Sequence, residues 1–463
     1  MSRAVVWAEK AGIPAVGVVC KGFVPSALMI ARAEGLPGMR FVEYLPPNIA
    51  TESYEAIYEK SKPLLDDIVR TLTAPAPAAT PSAIRAGAEV GKTVVTGSLE
   101  QVNDFFRKSQ WTDGLPIVPP TREAVAEMLK FTERRPDEVV AVLPPENSEA
   151  TVLSVAVNGV MAGCRPEYLP VLIAAVEAIG DARFGLQHAG STAGWTPFII
   201  LNGPIIKELG FNSGQGVLRP QRQANITVAR FLRLAMMNLA GYRLGSSDMA
   251  TFGLNYIPVL AEAEDESPYE PLSVDRGFER GTSVITILSA LSMSYQFPST
   301  GKTAQDQLRV IAREAKRELG SFVRIMTIFG PEVSPVLCLS PLVANILAEA
   351  GYTKDDIRRY IFDHARITAC EFDENLALLW PGYTIRQAVE QGKLAPSFCA
   401  THDPARLLPL LHEPRQLLVV VSGSSAKNRN FIINQAGDQG LAVSREIRLP
   451  AKWGELLMNK GSR

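Results

Sequence analysis

A proline- and alanine-rich stretch divides this chain into two very unequal parts. The segment TAPAPAATPSAIRAGAEVG lacks the apolar periodicity of a helix or a strand, and its clustered prolines are typical of a semi-rigid linker. A chain of 463 residues also exceeds what one hydrophobic core usually serves. We therefore predict a small unit at residues 1–73, a linker at 74–96 and a large unit at 97–463.

The first part alternates helical and strand patterns. Helices are predicted over SRAVVWAEKAG and FVPSALMIARAEG, strands over AVGVVC and MRFVEYLPP, and a long amphipathic helix over ESYEAIYEKSKPLLDDIVRTLT. Helices between apolar strands indicate a partial doubly wound βαβ unit with a parallel sheet. Because such a sheet normally begins with a strand and this pattern begins with a helix, we expect a first strand to come from another chain or to be missing.

The second part mixes helices and strands without an internal repeat, so we predict a larger α/β (α+β) unit. Thr121 is expected to cap one helix, Pro341 and Gly351 to begin and end another, and Thr353 with Asp356 to form a capping box. Near the C-terminus, RQLLVVVSGSS predicts a buried strand and a turn, NRNFIINQAG a helix and AVSREIRLP a strand. The fold class of the whole chain is therefore α/β.

Composition excludes several classes of protein. A formal net charge of −1 argues against nucleic acid or an anionic membrane as partner. No apolar run has the length of a spanning helix and no signal peptide is recognisable, so we expect a cytoplasmic protein. The five scattered cysteines form no CxxC pair and the four histidines no metal-binding motif. Without a P-loop or a GxGxxG fingerprint the cofactor is unknown, and a carboxylate-only divalent metal site stays possible.

One loop combines an aromatic ring, a hydroxyl and a carboxylate. In WTDGLPIVPP, three prolines hold Trp111, Thr112 and Asp113 in a rigid segment of the kind that often lines a pocket. An Asp-Gly turn followed by an extended proline segment would have the same composition. Asp113 is thus a candidate catalytic carboxylate, and Trp111 and Thr112 are candidate binding residues.

Two glycine-rich loops predict a cradle for an anionic substrate. HAGSTAGW leads into an apolar strand that ends at LNGP, and NSGQG is followed by two arginines and a helix. Backbone N–H groups, guanidinium groups and a helix N-terminus together favour an oxyanion, although the same segments could be plain loops. The candidate binding residues share this polar, glycine-flanked setting: Thr192, Asn202, Asn212, Ser213, Arg219, Arg222 and Asn225.

Further catalytic candidates are two glutamates and a thiol. Glu262 and Glu264 would share one face of an extended strand, where crowding raises one carboxyl pKa and favours acid/base or metal chemistry; a solvated acidic surface is the alternative. Cys164 stands beside Arg165 ahead of a helix, a setting that lowers a thiol pKa and favours a nucleophile. A buried structural thiol is the other interpretation.

Several of these motifs together resemble one family. WTDGLPIVPPT, VNGVMAGCRPEYLPVL, LNGP, NSGQG and AEAEDESPYEPLSVDRGF are similar to the large domain of the UGSC family of (seleno)proteins over most of residues 97–280, and the LP-x-x-W at 449–453 continues the likeness. Residues 1–73 resemble the second half of that family's N-terminal domain, which has a GIP-strand pattern like Gly12 to Phe23. The UGSC motif itself, which would precede the first helix, is absent from this sequence.

The resemblance implies a layout similar to the selenoprotein subunits of glycine and proline reductases. It implies reductive cleavage or elimination on a small polar substrate, by a reductase or lyase whose large unit binds the substrate. A low-pKa thiol or selenol would come from a small subunit carrying a Cys/Sec motif, in a heteromeric, oligomeric complex. The alternatives are that the motif is encoded upstream of Met1 or that this branch has lost the thiol chemistry. Two alternatives stay open: a carboxylate- or metal-dependent hydrolase or lyase that uses Asp113, Glu262 and Glu264, and a non-catalytic binding or assembly subunit.

Overall fold

The structure is a computed structural model that describes residues 2–45, 52–75, 91–253, 256–321, 332–437 and 440–458. Helices and mixed sheets dominate these residues, which confirms the predicted α/β class. Most of the predicted linker at 74–96 lies outside the described residues. Within the part of the chain that the structure describes, no helix has both the length and the apolar character required to cross a membrane.

The N-terminal unit is a small parallel βαβ arrangement, as the pattern predicts. Two strands pair in parallel across an intervening helix, with Gly17 opposite Phe41. Gly12 and Gly35 have positive φ angles of 77° and 84° just after the first two helices, a conformation that glycine adopts without a steric penalty. The elements of this unit are helices α1 (Ser2–Lys10), α2 (Val24–Ala33), α3 (Tyr54–Ser61) and α4 (Leu65–Thr73) and strands β1 (Gly17–Cys20) and β2 (Phe41–Tyr44).

The N-terminal unit contacts the large unit through the C-terminal end of α2 and the start of α1. Asn147 donates a hydrogen bond from Nδ2 to the Ala33 carbonyl at 2.8 Å. Burial lowers the pKa of the Arg3 guanidinium, and the charges of Glu34 and Tyr242 oppose this shift. Arg3 thus lies within electrostatic range of Tyr242 in the large unit.

Thirteen helices are described in the large unit, and their ends follow the capping signals in the sequence. The Thr353–Asp356 capping box and the Thr121 cap are present. The helices are α5 (Leu99–Lys108), α6 (Arg122–Leu129), α7 (Val152–Ala162), α8 (Leu169–Gly180), α9 (Ile205–Glu208), α10 (Gln223–Asn238), α11 (Leu272–Asp275), α12 (Ala304–Leu319), α13 (Pro341–Glu349), α14 (Lys354–His364), α15 (Ala369–Leu379), α16 (Ile385–Glu390) and α17 (Trp453–Met458).

A mixed eight-stranded sheet forms the centre of the large unit. The described strands are β3 (Val139–Leu143), β4 (Ser148–Thr151), β5 (Thr196–Asn202), β6 (Val259–Ala261), β7 (Val284–Met293), β8 (Phe297–Pro298), β9 (Val336–Leu339), β10 (Arg366–Thr368), β11 (Leu407–Pro409), β12 (Leu418–Val421), β13 (Arg429–Gln435) and β14 (Val443–Glu446). The sheet order is β12-β9-β13-β7-β5-β6, with β14 beside β7 and β8 beside β13. The pairs β12–β9 and β5–β6 are parallel, and the other pairs are antiparallel.

Alternate residues of the central strands enter different apolar clusters, as the period of two of a strand requires. Leu337 and Leu339 pack into the core formed with α12 to α16. Cys338, between them, packs with Phe431 on the opposite face. The helices α7, α8 and α10 build a third core on the other half of the sheet. Cys338 and Phe431 also line an internal cavity, so this face of β9 and β13 borders it.

Two predicted helices are wrong. The segment NRNFIINQAG forms strand β13, because three strands pair with it along its length and its residues from Asn430 to Gln435 are buried. Tertiary pairing overrides its local helical pattern. The long helix predicted before the linker is two helices, since Pro63 lies in a 3₁₀ turn at Lys62–Leu64 that separates α3 from α4.

Candidate active site cavity

A cavity of about 1450 Å³ lies between helix α10 and the ends of the central strands. Its apolar residues include Val217, Ile226, Met237 and Met293, and its polar residues come from several loops and strand ends. Apolar walls with a few converging polar groups are the usual composition of a small-molecule site. We treat this cavity as the candidate active site and refer to it below as the cavity.

Helix α10 forms one wall of the cavity. Ile226, Arg230, Arg233 and Met237 line it at intervals of three and four residues, so they lie on one face of the helix. The other face packs into the apolar core through residues such as Phe231 and Leu232. Core packing therefore fixes the helix and aims two guanidinium groups into the cavity.

Asp113 and Arg230 form a two-pronged ion pair at the cavity wall. Arg230 donates from Nε to Asp113 Oδ2 at 3.0 Å and from Nη2 to Oδ1 at 2.9 Å. Burial raises the pKa of Asp113, but hydrogen bonds and charge from Arg230 outweigh it and the net pKa is lowered. The Leu115 N–H and the Thr112 hydroxyl also donate to Oδ1. Asp113 therefore stays ionised near neutral pH and is a poor proton donor.

Two further arginines of the cavity are half-buried. Burial lowers the pKa of Arg233, and the charges of Asp248 and Asp113 only oppose this shift. Burial also lowers the pKa of Arg243, which donates from Nη1 to the Met237 and Tyr242 carbonyls. A lowered pKa means that the cationic form costs free energy here, and an anion bound nearby would recover it.

The opposite wall comes from the ends of the central strands, and we refer to it below as the strand-end wall. Ser340 follows β9, Ser422 follows β12, and Gly423 continues the turn after β12. Lys427 and Arg429 line the same wall ahead of and at the start of β13. Because β9 and β12 are parallel neighbours, their carboxyl ends lie side by side at this edge of the sheet.

Charge in the cavity is strongly one-sided although the chain as a whole carries −1. Two carboxylates, those of Asp113 and Asp248, line it. Seven cationic side chains line it: Arg107, Arg219, Arg230, Arg233, Arg243, Lys427 and Arg429. A concave, partly apolar space with this imbalance concentrates anions.

Three of the residues chosen from the sequence line the cavity: Thr112, Asp113 and Arg219. Trp111 lies next to this group but packs edge-on against Phe105 and Phe106. Of the segments that carry the candidates, the WTDGLPIVPP loop and the NSGQG loop with its downstream flank contribute to the lining. The HAGSTAGW loop and the acidic segment with Glu262 and Glu264 lie outside it.

Glu262 and Glu264 both contact Asn202 at the carboxyl ends of β5 and β6. Asn202 donates from Nδ2 to Glu262 Oε2 at 2.7 Å and to Glu264 Oε1 at 3.0 Å. Glu262 is 1% exposed and also accepts from the N–H groups of Leu272 and Val421. Burial raises its pKa, and the charge of Lys354 opposes the shift. The network ties three segments together, and none of its residues lines the cavity.

The NSGQG loop is fixed by polar side chains. Asn225 accepts from the Asn212 N–H at 2.9 Å and donates to the Val259 carbonyl at 3.3 Å. The Ser213 carbonyl accepts from the Gly423 N–H at 2.8 Å and from the Ser422 hydroxyl. These contacts anchor the loop against the turn after β12 and so position the flank that leads to Arg219.

The remaining candidates stand away from the cavity. Arg222 immediately precedes helix α10 and does not line the cavity. The Thr192 carbonyl accepts from the N–H and the hydroxyl of Thr251, which joins two loops. Cys164 is buried and donates to the Thr227 carbonyl at 3.3 Å. Burial raises its pKa to about 12, the opposite of the lowering expected beside Arg165.

Sequence reasoning missed most of the cations of the cavity. Arg230 and Arg233 are three residues apart in the mostly apolar middle of α10, and this spacing in the sequence predicts that they share one face of the helix. Lys427 and Arg429 follow a segment correctly predicted as strand and turn, but the wrong helix after it hid their place at a strand end. Cys338 is the one of the five cysteines that lines the cavity, and burial raises its pKa above the ordinary value.

The carboxylates form no metal-binding group in the described part of the chain. There, no three His, Cys, Asp or Glu side chains cluster closely enough to hold a metal ion. Glu262 and Glu264 instead accept hydrogen bonds from amide groups. The donor set of the cavity suits an anion, because guanidinium groups donate hydrogen bonds and ligate no cation.

Comparison with known proteins identifies a family for the N-terminal unit. The model of the UGSC family matches residues 2–74, which confirms the resemblance predicted for that segment. No curated protein matches the chain. The likeness of residues 97–280 to the large domain of the same family stays a prediction.

Proposed function

We propose that this chain, which carries a UGSC family domain at residues 2–74, is the substrate-binding part of a thiol- or selenol-linked enzyme. It would act on a small organic anion by reductive cleavage or elimination. The observation that supports the proposal is the cavity, where seven cationic side chains face two carboxylates. An anionic substrate would offset that excess of positive charge.

The arginines suit a planar oxyanion better than a point charge. Arg233 and Arg243 are half-buried and desolvation lowers the pKa of both, so their cationic forms carry a cost in free energy that a bound anion would reduce. Guanidinium groups bind carboxylate and phosphate oxygens in pairs, which orients the substrate as well as holding it. The apolar residues between them, such as Ile226 and Met237, would contact the carbon skeleton.

A nucleophilic thiol would come from outside the large unit. Burial raises the pKa of Cys338 and that of Cys164, so neither is activated as a thiolate. The other two cysteines of the large unit, Cys370 and Cys399, do not line the cavity. We assign the thiol to a small subunit with a Cys/Sec motif that docks beside the N-terminal unit. Arg3 at the start of α1 lies near Tyr242, which lines the cavity. In reductive cleavage, two thiols of that subunit would form one disulfide bond, and the two electrons and two protons that they lose would end on the two fragments of the cleaved substrate bond.

The carboxylate-dependent alternative has less support. Asp113 is held by Arg230, and Glu262 is enclosed by three N–H donors from amide groups. A general base needs an oxygen within reach of the substrate proton, and neither glutamate lines the cavity. A non-catalytic binding subunit would use the same cavity. The presence of a partner that carries a thiol or selenol therefore distinguishes the proposal from that alternative.

The proposal is tested by purifying the tagged chain from its native host. We expect a co-purifying subunit with a Cys- or Sec-containing motif and a small organic anion, both identified by mass spectrometry. Arg233→Met should lose the anion and keep the subunit, whereas Arg222→Met, outside the cavity, should keep both. Recovery of the wild-type chain with neither a thiol-bearing subunit nor an anion would count against the proposal.

A further inference from the structure

The strand-end wall of the cavity contributes polar groups of its own, separate from the arginines of α10. Strands β9 and β12 run in parallel, with Leu339 opposite Val421 at their last paired position. Ser340 and Ser422 therefore follow side by side at the carboxyl edge, and both line the cavity. Ligands of open α/β sheets bind outside this edge of the strands.

Helix α13 begins at the same point. Ser340 is its N-cap residue, but its side chain makes no capping hydrogen bond, and Pro341 at the first helical position has no N–H. The helix has nine residues, so its N-terminus carries the partial positive charge of a full helix end. The N-cap residue Ser340 lines the cavity, so this helix end lies at its strand-end wall.

The hydroxyl of Ser340 is buried without a partner. Ser340 is 3% exposed, and its Oγ has no hydrogen bond in the described structure. Its backbone is fully used, since its N–H donates to Asn430 Oδ1 and its carbonyl accepts from the Ala344 N–H. Buried hydroxyls are seldom unpaired in native proteins, so this one points to a ligand acceptor.

The turn after β12 completes the setting. Gly423 has a φ of 97°, and a Cβ built on it would meet no atom within 4 Å, so the turn leaves open space at the wall. Ser424 Oγ accepts from the Ala426 N–H at 3.3 Å and keeps its own proton available to donate. Lys427 is exposed, lines the cavity and has no acidic partner among the described residues.

We propose that the carboxyl ends of β9 and β12 form an oxyanion subsite, in which Ser340 Oγ and Ser424 Oγ donate to a phosphate or carboxylate group and Lys427 neutralises it. This proposal rests on the proposed function, because it assigns the anionic group of the substrate to one wall. The α10 arginines then face the other end of the ligand. The substrate class is an elongated organic anion with its oxyanion at the strand ends.

The subsite is tested on the full chain with inorganic phosphate and, separately, acetate, at constant ionic strength. Calorimetric titration and the thermal midpoint would be measured for the wild type, Ser340→Ala and Lys427→Met. The matched controls are Ser425→Ala, in the same turn but outside the lining, and Lys452→Met. Arg233→Met reports on the other wall.

We expect at least one of the two anions to bind the wild type and both controls equally. Ser340→Ala should leave the unliganded thermal midpoint unchanged, because it removes an unpaired hydroxyl, yet weaken binding by about tenfold or more. Lys427→Met should weaken binding similarly and would carry the test if Ser340→Ala failed to fold. Binding of acetate alone would assign a carboxylate, and binding of phosphate alone a phosphate group.

Other outcomes would overturn the subsite. If neither anion bound the wild type up to about 50 mM, or if Ser340→Ala and Lys427→Met bound like the wild type, the subsite would be rejected. If Ser340→Ala and Lys427→Met bound like the wild type but Arg233→Met abolished binding, the cavity would keep its anion-binding role and only the subsite would fail. If Arg233→Met also bound normally, the support for the proposed function would fail with it.

Discussion

Arg230 clasps Asp113 through two parallel hydrogen bonds of 3.0 and 2.9 Å, across 117 residues of sequence. The same guanidinium donates to the Pro116 carbonyl at 2.8 Å. The loop that carries Asp113 is thus attached to helix α10, and Arg230 keeps one orientation at the cavity wall. Asp113 acts here through the arginine that it positions.

Asp113→Asn should destabilise the protein in a pH-dependent way. The two side chains are 16–17% exposed, so we expect a loss of about 1.5–3 kcal/mol in the free energy of unfolding near neutral pH. The pKa of Asp113 is lowered from its ordinary 3.8. Its stabilisation is therefore present above that value and is lost as the pH falls through the folded-state pKa. Urea unfolding at several pH values measures the difference.

A double-mutant cycle gives the control for this ion pair. Arg230→Met alone should cost a similar amount, and combining it with Asp113→Asn should cost less than the sum of the two. A difference between wild type and Asp113→Asn that stayed constant from about pH 7 to pH 3 would contradict the ionised, arginine-bound state of Asp113.

Glu262→Ala should be among the most destabilising single substitutions in the large unit. It removes the acceptor of three hydrogen bonds, from Asn202 and from the N–H groups of Leu272 and Val421. Leaving these donors buried and unpaired should cost about 3 kcal/mol or more. Glu266→Ala, in the same acidic run but exposed, should change the stability by less than about 0.5 kcal/mol. Equal effects in chemical denaturation would contradict the structural role of Glu262.

The sequence predicted the helix boundaries well because they depend on local chemistry. At the start of α14, the side chains of Thr353 and Asp356 each accept a hydrogen bond from the other residue's backbone N–H. Gly351, just after α13, adopts the left-handed conformation with a φ of 87°. These features involve residues within a few positions of each other, so a window of the sequence contains all of the relevant information.

Features that depend on tertiary contacts were not predictable in this way. Strand β13 was predicted as a helix because its partners β7, β8 and β9 lie far along the chain. The same error hid Lys427 from the candidate residues. Asn202 was selected because it ends an apolar strand, but its contact with Glu262, 60 residues away, could not be inferred from that pattern. Burial, rather than the neighbouring Arg165, decides the pKa of Cys164.

Substitutions of Arg219 and of Arg222 should differ in their effect on anion binding. They are three residues apart, and Arg219 lines the cavity whereas Arg222 lies outside it. Arg219→Met should weaken the binding of an organic anion by about tenfold or more, because one charged hydrogen bond is lost. Arg222→Met should bind normally, since an exposed charge outside the site is screened by salt. Calorimetric titration of both variants checks this, and equal losses would contradict the assigned boundary of the site.

Cysteine reactivity should follow burial. Cys370 is exposed, whereas Cys164 is buried with a pKa raised to about 12. At about pH 8, a thiol with that pKa is ionised in only about one molecule in ten thousand, and the thiolate is the reactive form. Iodoacetamide should therefore modify Cys370 first, even though Glu374 raises its pKa, and leave Cys164 intact in the folded protein.

Peptide mapping by mass spectrometry after timed alkylation measures the order of reaction, with a sample in urea as the control in which both thiols react. Cys164→Ala should retain anion binding, because its thiol donates to the Thr227 carbonyl and does not line the cavity. Alkylation of Cys164 in the folded protein as fast as that of Cys370 would instead indicate an activated thiolate, and would return Cys164 to the role of nucleophile.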